Sequence, residues 1–360
     1  MAETFVAVRR GTGGFEQQVC VKRVLEHLRD DAEILRLFLQ EAQLSARLRH
    51  SNIAQVIDFG EHEGIHFLVL EYVEGLDLRG LMRRTEGALP IEIITYVATE
   101  MAKGLEYAHA EGVFHRDISP SNVLLSRAGE VKVADFGIAK AVGMTAFTRT
   151  GAVKGKVPYM APEYARRGEF DARSDLFSLG VTLFELVGGR RPFDGKSDPE
   201  TVENILKGQH RNLAELAGEA PPALIEAIHR CIAADREQRF ADARELRHAL
   251  GALQIPATAR RALAKRVKAA GPRPVDAHEP TQLKSRTLAQ TDVPDAGPKV
   301  VPAGPSERTR TSVPVVRTEV AVAAPVHEPD PIEPPKLPWI PIVAAVVMLI
   351  SAIALVLLLR

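Results

Sequence analysis

A disulfide framework lacks raw material in this chain: Cys20 and Cys231 are the only cysteines among 360 residues. Two thiols fit a reducing compartment and exclude a cystine-stapled scaffold. A charge surplus is missing as well, because 46 Lys+Arg stand against 46 Asp+Glu. That balance removes any global pull toward nucleic acid, and no nucleic-acid partner is expected. The opening MAETFVAVRR lacks the apolar run of a secretory signal. Aromatic residues are few, 5% overall, and none lies within residues 254–338, which carry 15 of the 24 prolines. Such a stretch cannot bury enough apolar surface to offset the entropy of ordering it, so it reads as a disordered linker. There is no internal repeat.

One long apolar run is present. Residues 339–359 (WIPIVAAVVMLISAIALVLLL) hold no charge, and as a helix they would measure about 31 Å at ~1.5 Å per residue. A bilayer core is roughly 30 Å thick. Trp339 stands where an interfacial aromatic belongs and Arg360 closes the far side. The alternative is a buried core helix, but the adjoining proline-rich segment offers nothing to cover it. A transmembrane helix is therefore expected over 339–359.

The remaining residues, 1–253, alternate between apolar runs and turn residues as a globular domain does. FVAVRR and QQVCVKRVL read as strands joined at Gly11–Gly14, and IAQVIDFG and IHFLVLEYV as two more. Between these pairs, residues 31–48 place Ile34, Leu35, Phe38, Ala42, Leu44 and Leu48 on one helical stripe. From about Asp77 onward the periodicity is mainly helical, as in SDLFSLGVTLFELVGG and ALIEAIHRCIA. The expected class is α+β and bilobal: a strand-rich lobe over 1–73 with one helix, and a helical lobe over 74–253.

Four strings carry the chemistry: VCVK at 19–22, HRDISPSN at 115–122, DFG at 135–137 and APE at 161–163. In order and spacing they resemble the signature set of the protein-kinase family. The layout, with a proline-rich juxtamembrane linker, is most similar to the bacterial Hanks-type serine/threonine kinases. The resemblance implies ATP and Mg2+ as cofactors and protein substrates as partners. Lys22 would hold the α- and β-phosphates and Glu41 would anchor it, Glu33 lying too early in the helix. Asp117 would take the proton of the substrate hydroxyl, and Asn122 and Asp135 would ligate magnesium. Outside that context Lys22 and Glu41 read as solvated charges, and the Asp and Asn as turn formers. For adenine, the resemblance points to Cys20 at the usual alanine position, Leu124 beneath the ring, and backbone groups from Glu71 to Val73 at the lobe hinge. Glu163 would pair with Arg239, and Asp175 would hold the catalytic-loop backbone. Arg116 would meet a phosphorylated residue of the activation segment, where Thr145, Thr148 and Thr150 are the candidate autophosphorylation sites.

Three departures stand against the family pattern. The glycine loop G-x-G-x-x-G-x-V is not found: Gly11–Gly14 lies too close to Lys22, and Met1–Phe5 read as the exit from that loop, so its glycines are expected upstream of a mis-assigned Met1, the alternative being a truncated kinase with a weakened grip on nucleotide. Ser119 replaces the lysine two residues after the catalytic aspartate. Lys156 replaces the threonine of the G-T-x-x-Y segment. Lys156 is expected to reach back toward Asp117 and supply the missing charge, the alternative being an exposed lysine without a role. The leading expectation is an active serine/threonine kinase, with a membrane-bound pseudokinase scaffold as the competing class. An ATP-using domain places the N-terminal side of the span in the cytoplasm, and signals would arrive through membrane partners, the linker or homodimerisation.

Overall fold

The computed structural model describes residues 2–85, 88–136 and 156–271, and the backbone of two strands at 281–284 and 319–325. All lie in the first of two compact units, Met1–Val326, and none in the second, His327–Arg360. The apolar run at 339–359 is outside the described residues, and among the described residues no helix is long and apolar enough to cross a membrane.

The first lobe is one antiparallel sheet with a helix against it. Strand β1 (Ala2–Arg10) pairs with β2 (Glu16–Val24) from Ala2↔Val24 to Arg10↔Glu16. The hairpin closes through Gly13 at φ 70° and a bond from the Gly11 amide to the Phe15 carbonyl at 2.8 Å. Positive φ suits glycine, which has no Cβ to clash. β2 also pairs with β4 (Ile65–Glu71), and β4 with β3 (Val56–His62). Period-two alternation divides β2. Val19 and Val21 bury on one face with Phe5, Ala7, Phe67 and Val69. Cys20, Lys22 and Val24 share the other face, where Val24 and Leu68 meet Phe38 and Ala42 of helix α1 (Ala32–Arg47). Asp31 caps α1, its carboxylate accepting from the Glu33 and Ile34 amides at 2.9 and 3.1 Å.

The second lobe is built on two long helices, α3 (Ile91–Ala110) and α5 (Ala172–Gly188). Ahead of α3 come a short strand, β5 (Gly75–Asp77), and α2 (Leu78–Arg84). Strands β6 (Val123–Ser126) and β7 (Val131–Val133) complete a three-stranded sheet with β5, and α4 spans Pro162–Arg167. Every residue of α5 from Ser174 to Val187 is buried, as a helix at the centre of a lobe must be. Gly180 lets α8 (Pro222–Cys231) approach closely, since a Cβ there would sit 2.5 Å from that of Cys231. Burial pushes the Cys231 thiol up to about 12. Between α5 and α8 lie α6 (Asp198–Lys207) and α7 (Leu213–Leu216), and α9 (Ala243–Gly251) follows.

Past residue 253 a further helix packs on the second lobe. Helix α10 (Ala259–Ala270) buries Ala259, Leu263 and Val267, and the last two join the main core. The low aromatic content that marked this stretch as linker concealed an i, i+4, i+8 stripe of small and aliphatic residues. Further on, β8 (Thr281–Lys284) pairs with β9 (Glu319–Pro325), and β9 lies antiparallel on β1. The sheet order is β3-β4-β2-β1-β9-β8, so two further segments of the expected linker are strands.

Candidate active site

Lys22 projects from the cleft-facing side of β2 and meets two carboxylates. Its Nζ lies 2.7 Å from Glu41 Oε1 and 3.0 Å from Asp135 Oδ1. Glu41 is on the stripe of α1 that also buries Leu37, Phe38 and Ala42. The lysine and glutamate side chains are 16% and 8% exposed. Burial works to lower the lysine's pKa, but Asp135 and Glu41 together outweigh it and hold it above the usual lysine range. Lys22 in turn draws the Asp135 carboxyl below its ordinary value against the opposing effect of burial, with Lys156 adding to the shift. Asp135 sits at φ 59°, a left-handed backbone that aspartate tolerates better than most residues.

The catalytic loop hangs from the second lobe by Asp175, which is fully buried at the start of α5. Its carboxylate accepts from the His115 amide at 2.8 Å and the Arg116 amide at 2.9 Å, with His109 Nε2 also at 2.8 Å. Arg116 can then hold φ 64°. His115 completes the brace: its Nδ1 accepts from the Asp117 amide at 3.2 Å and its Nε2 donates to the Ala134 carbonyl at 2.9 Å. This ties the loop carrying Asp117 to the strand end carrying Asp135.

Asn122 fixes Asp117 from the other side. Its Nδ2 donates to the Asp117 carbonyl at 2.8 Å and to Oδ2 at 2.9 Å. With the amide nitrogen so used, Oδ1 is the Asn122 atom left for a cation. Asp135, 45% exposed at its side chain, supplies a second hard oxygen donor. No group of three or more His, Cys, Asp or Glu fit to hold a metal exists among the described residues. Two oxygen donors suit Mg2+, which completes its shell with phosphates and water.

The residues that the resemblance names for adenine lie on three strands and the segment after β4. Cys20 is on β2 beside Leu70 of β4, Leu124 is half-buried on β6, and Glu71 ends β4 with Val73 just beyond. The Glu71 carboxylate is engaged by Lys132 at 3.0 Å. Thr145, Thr148, Thr150 and Gly137 lie outside the described residues. Glu163 and Arg239 form a two-pronged ion pair at 2.8 Å on each arm, the arginine side chain fully buried. Lys156 Nζ stands 2.5 Å from Asp117 Oδ2.

The protein kinase domain family matches residues 3–250. The chain belongs to the protein kinase family. Within it, the Myxococcus xanthus protein "Tyrosine-protein kinase MasK" is 40% identical over 261 residues, covering 69% of this chain and 40% of that protein. The Bacillus subtilis "Serine/threonine-protein kinase PrkC" is 34% identical over 231 residues, covering 64% of this chain and 36% of its own length. The chain thus spans well under half of either relative. Among solved structures, the kinase domain of Mycobacterium tuberculosis PknI superposes with a TM-score of 0.54 at 28% identity, covering 70% of this chain and 91% of that one.

One cluster of this kinase domain carried no sequence signal. Arg79, at the start of α2, grips Glu185 of α5 at 2.5 and 3.2 Å and also meets the Tyr159 hydroxyl, which donates to Glu185 Oε2 at 2.5 Å. Tyr159 closes the G-T-x-x-Y segment, but nothing in the sequence joins it to Arg79 or Glu185, and only their bonds in the fold reveal the cluster.

Proposed function

We propose that this chain is an ATP- and Mg2+-dependent protein kinase that transfers the γ-phosphoryl group to serine and threonine hydroxyls of proteins. The observation that carries the proposal is Lys22, held between Glu41 of one lobe and Asp135 of the other. A lysine clamped in this way is a preorganised phosphate anchor, and phosphoryl transfer asks mainly for positioning and charge neutralisation. Magnesium, when bound through Asn122 and Asp135, would neutralise phosphate charge. Asp117, oriented by Asn122 and His115, would take the proton of the attacking hydroxyl. The relative named as PrkC and the catalytic-loop string HRDISPSN support serine/threonine specificity. The name of MasK makes tyrosine the specificity to test against.

The reading extends to a membrane tether through residues 339–359, supported by their unbroken apolar run, with the kinase domain on the cytoplasmic side where ATP is. It also includes autophosphorylation at Thr145, Thr148 or Thr150, supported by Arg116 beside the catalytic aspartate. The test is incubation of the full chain with γ-labelled ATP and magnesium beside Asp117→Asn, followed by phosphoamino-acid analysis and phosphopeptide mapping. Phosphoserine or phosphothreonine that disappears in the variant is expected. Phosphotyrosine alone would overturn the specificity, and no label in either chain would overturn the activity.

A further inference from the structure

The catalytic loop presents a hydroxyl where phosphoryl transfer needs a positive charge. Ser119, two residues beyond Asp117, is buried, and its Oγ has no hydrogen-bond partner among the described residues. It does not cap the single turn Pro120–Asn122 that it precedes. A neutral, enclosed oxygen cannot offset the charge that develops on a transferring phosphoryl group.

A cation arrives from a different part of the chain. Lys156 Nζ lies 2.5 Å from Asp117 Oδ2, although 39 residues separate the two. The turn that delivers it is fixed. Lys156 opens the single 3-10 turn Val157–Tyr159, all of which is buried. The Tyr159 hydroxyl is held by Glu185, which Arg79 clamps in turn, and the Tyr159 carbonyl accepts from Ser178 Oγ at 2.7 Å. The lysine side chain itself is 36% exposed, so it borders the cleft instead of being sealed in the core.

We propose that Lys156 is a catalytic lysine, supplying from the side of the Ala161-Pro162-Glu163 string the charge that Ser119 leaves out of the catalytic loop. The inference rests on the phosphotransfer reading above. In the step, the substrate oxygen forms a bond to the γ-phosphorus, the bond from that phosphorus to the bridging oxygen breaks, and its electron pair leaves with ADP. The hydroxyl proton passes to the Asp117 carboxylate. Before transfer, the Lys156 ammonium is partnered by the Asp117 charge. As Asp117 takes the proton that charge is lost, and the ammonium's field falls on the phosphoryl oxygens just as their charge redistributes. The lysine therefore acts most strongly in the transition state, which raises kcat more than it tightens ATP.

The experiment uses the full chain, γ-labelled ATP, magnesium and casein as a generic acceptor, with steady-state kcat and KM and a thermal melt for each variant. Lys156→Met is expected to lower kcat about 100-fold, the cost of one preorganised transition-state contact, with the KM for ATP within about threefold. Lys156→Arg should keep much of the activity. The decisive variant moves the charge: Lys156→Thr combined with Ser119→Lys should recover at least about tenfold over Lys156→Thr alone. A Lys156→Met chain as fast as the parent, or faster because the pair had been blocking the base, overturns the inference. So does a relocated lysine that brings no recovery in a chain whose melt is intact. An inactive parent overturns the phosphotransfer reading and this inference with it, whereas an active parent with an indifferent Lys156 sinks only the latter.

Discussion

The two lobes are held together by different amounts of core. The second lobe has one continuous cluster running through α3 and α5 to Leu263 and Val267, which also takes in Leu48 and Ile53 of the first. The first lobe has two thin ones, Phe5, Ala7, Val19, Val21, Phe67 and Val69 on one face of the sheet and Val24, Phe38, Ala42 and Leu68 on the other. Stability in a protein is not uniform, and elements with few buried neighbours open first. The division of labour follows. The groups that must be fixed relative to the hydroxyl, Asp117 and Asn122, hang from the thick core through Asp175. Lys22, to which the proposed function gives the hold on ATP, sits on the thin one and reaches across the cleft to Asp135.

The sharpest way to probe that contrast is to remove chemistry from the thick lobe without touching its core. Asp117→Asn should lower kcat by about 100- to 10,000-fold, the range for a positioned general base. Its thermal midpoint should stay near that of the parent, because the Asn122 bond to the Asp117 carbonyl survives. A midpoint that falls together with rate would mean that Asp117 is a scaffold residue.

Next in size is the reverse experiment. Arg239→Met leaves the Glu163 carboxylate without its two-pronged partner and strips donors from the Ala233 and Arg173 carbonyls. Burial alone would raise the pKa of Glu163, yet Arg239 holds it below the ordinary carboxylate range. Orphaning a buried charge costs about 3–5 kcal/mol. Urea unfolding should register that loss in the second lobe. A change under about 1 kcal/mol would show that the pair contributes little to this core.

In the thin lobe the same kind of cut should behave differently. Glu41→Gln removes one carboxylate from Lys22 but leaves Asp135 at 3.0 Å. Stability should fall by no more than about 1 kcal/mol, while kcat/KM for ATP drops about 100-fold because the anchor loses its orientation. Comparable losses of stability in Glu41→Gln and Arg239→Met would erase the distinction between the lobes.

Much of this was legible in the sequence for a physical reason: chemistry that must meet at one point fixes residue type and spacing together. Lys22, Glu41, Asp117, Asn122 and Asp135 are bonded in pairs across up to 113 residues, and Arg239 was readable because the family resemblance implies an arginine partner for Glu163. Lys156 was readable as a substitution paired with another at Ser119. What stayed hidden was pairing that only the fold creates. Arg79, Tyr159 and Glu185 come from distant stretches of the chain and meet through an ion pair and hydrogen bonds. Helix α10 was lost inside a proline-rich stretch because Ala259, Leu263 and Val267 are too small a stripe to stand out against that composition. Strand β9 was hidden because its partner β1 lies over 300 residues away in sequence.

The smallest expected effect concerns acid, and it tests the brace that holds the catalytic loop on the thick lobe. His115 accepts the Asp117 amide at Nδ1, so its single proton is on Nε2, toward the Ala134 carbonyl. A second proton would set N–H against N–H. Burial accordingly lowers its pKa, although the charges of Asp175 and Asp117 work the other way. Burial also lowers those of His50 and His229. In the unfolded chain these histidines titrate near about 6.5. Below that value the unfolded state takes up protons that the folded state refuses, so stability declines as pH falls. Between about pH 7.5 and about pH 5.5, His115 should therefore make stability fall with pH. His115→Gln, compared with the parent by urea unfolding at both pH values, should flatten that slope. An unchanged slope would mean that His115 is protonated in the folded lobe, and the brace between Asp117 and Ala134 would have to be redrawn with the proton on Nδ1.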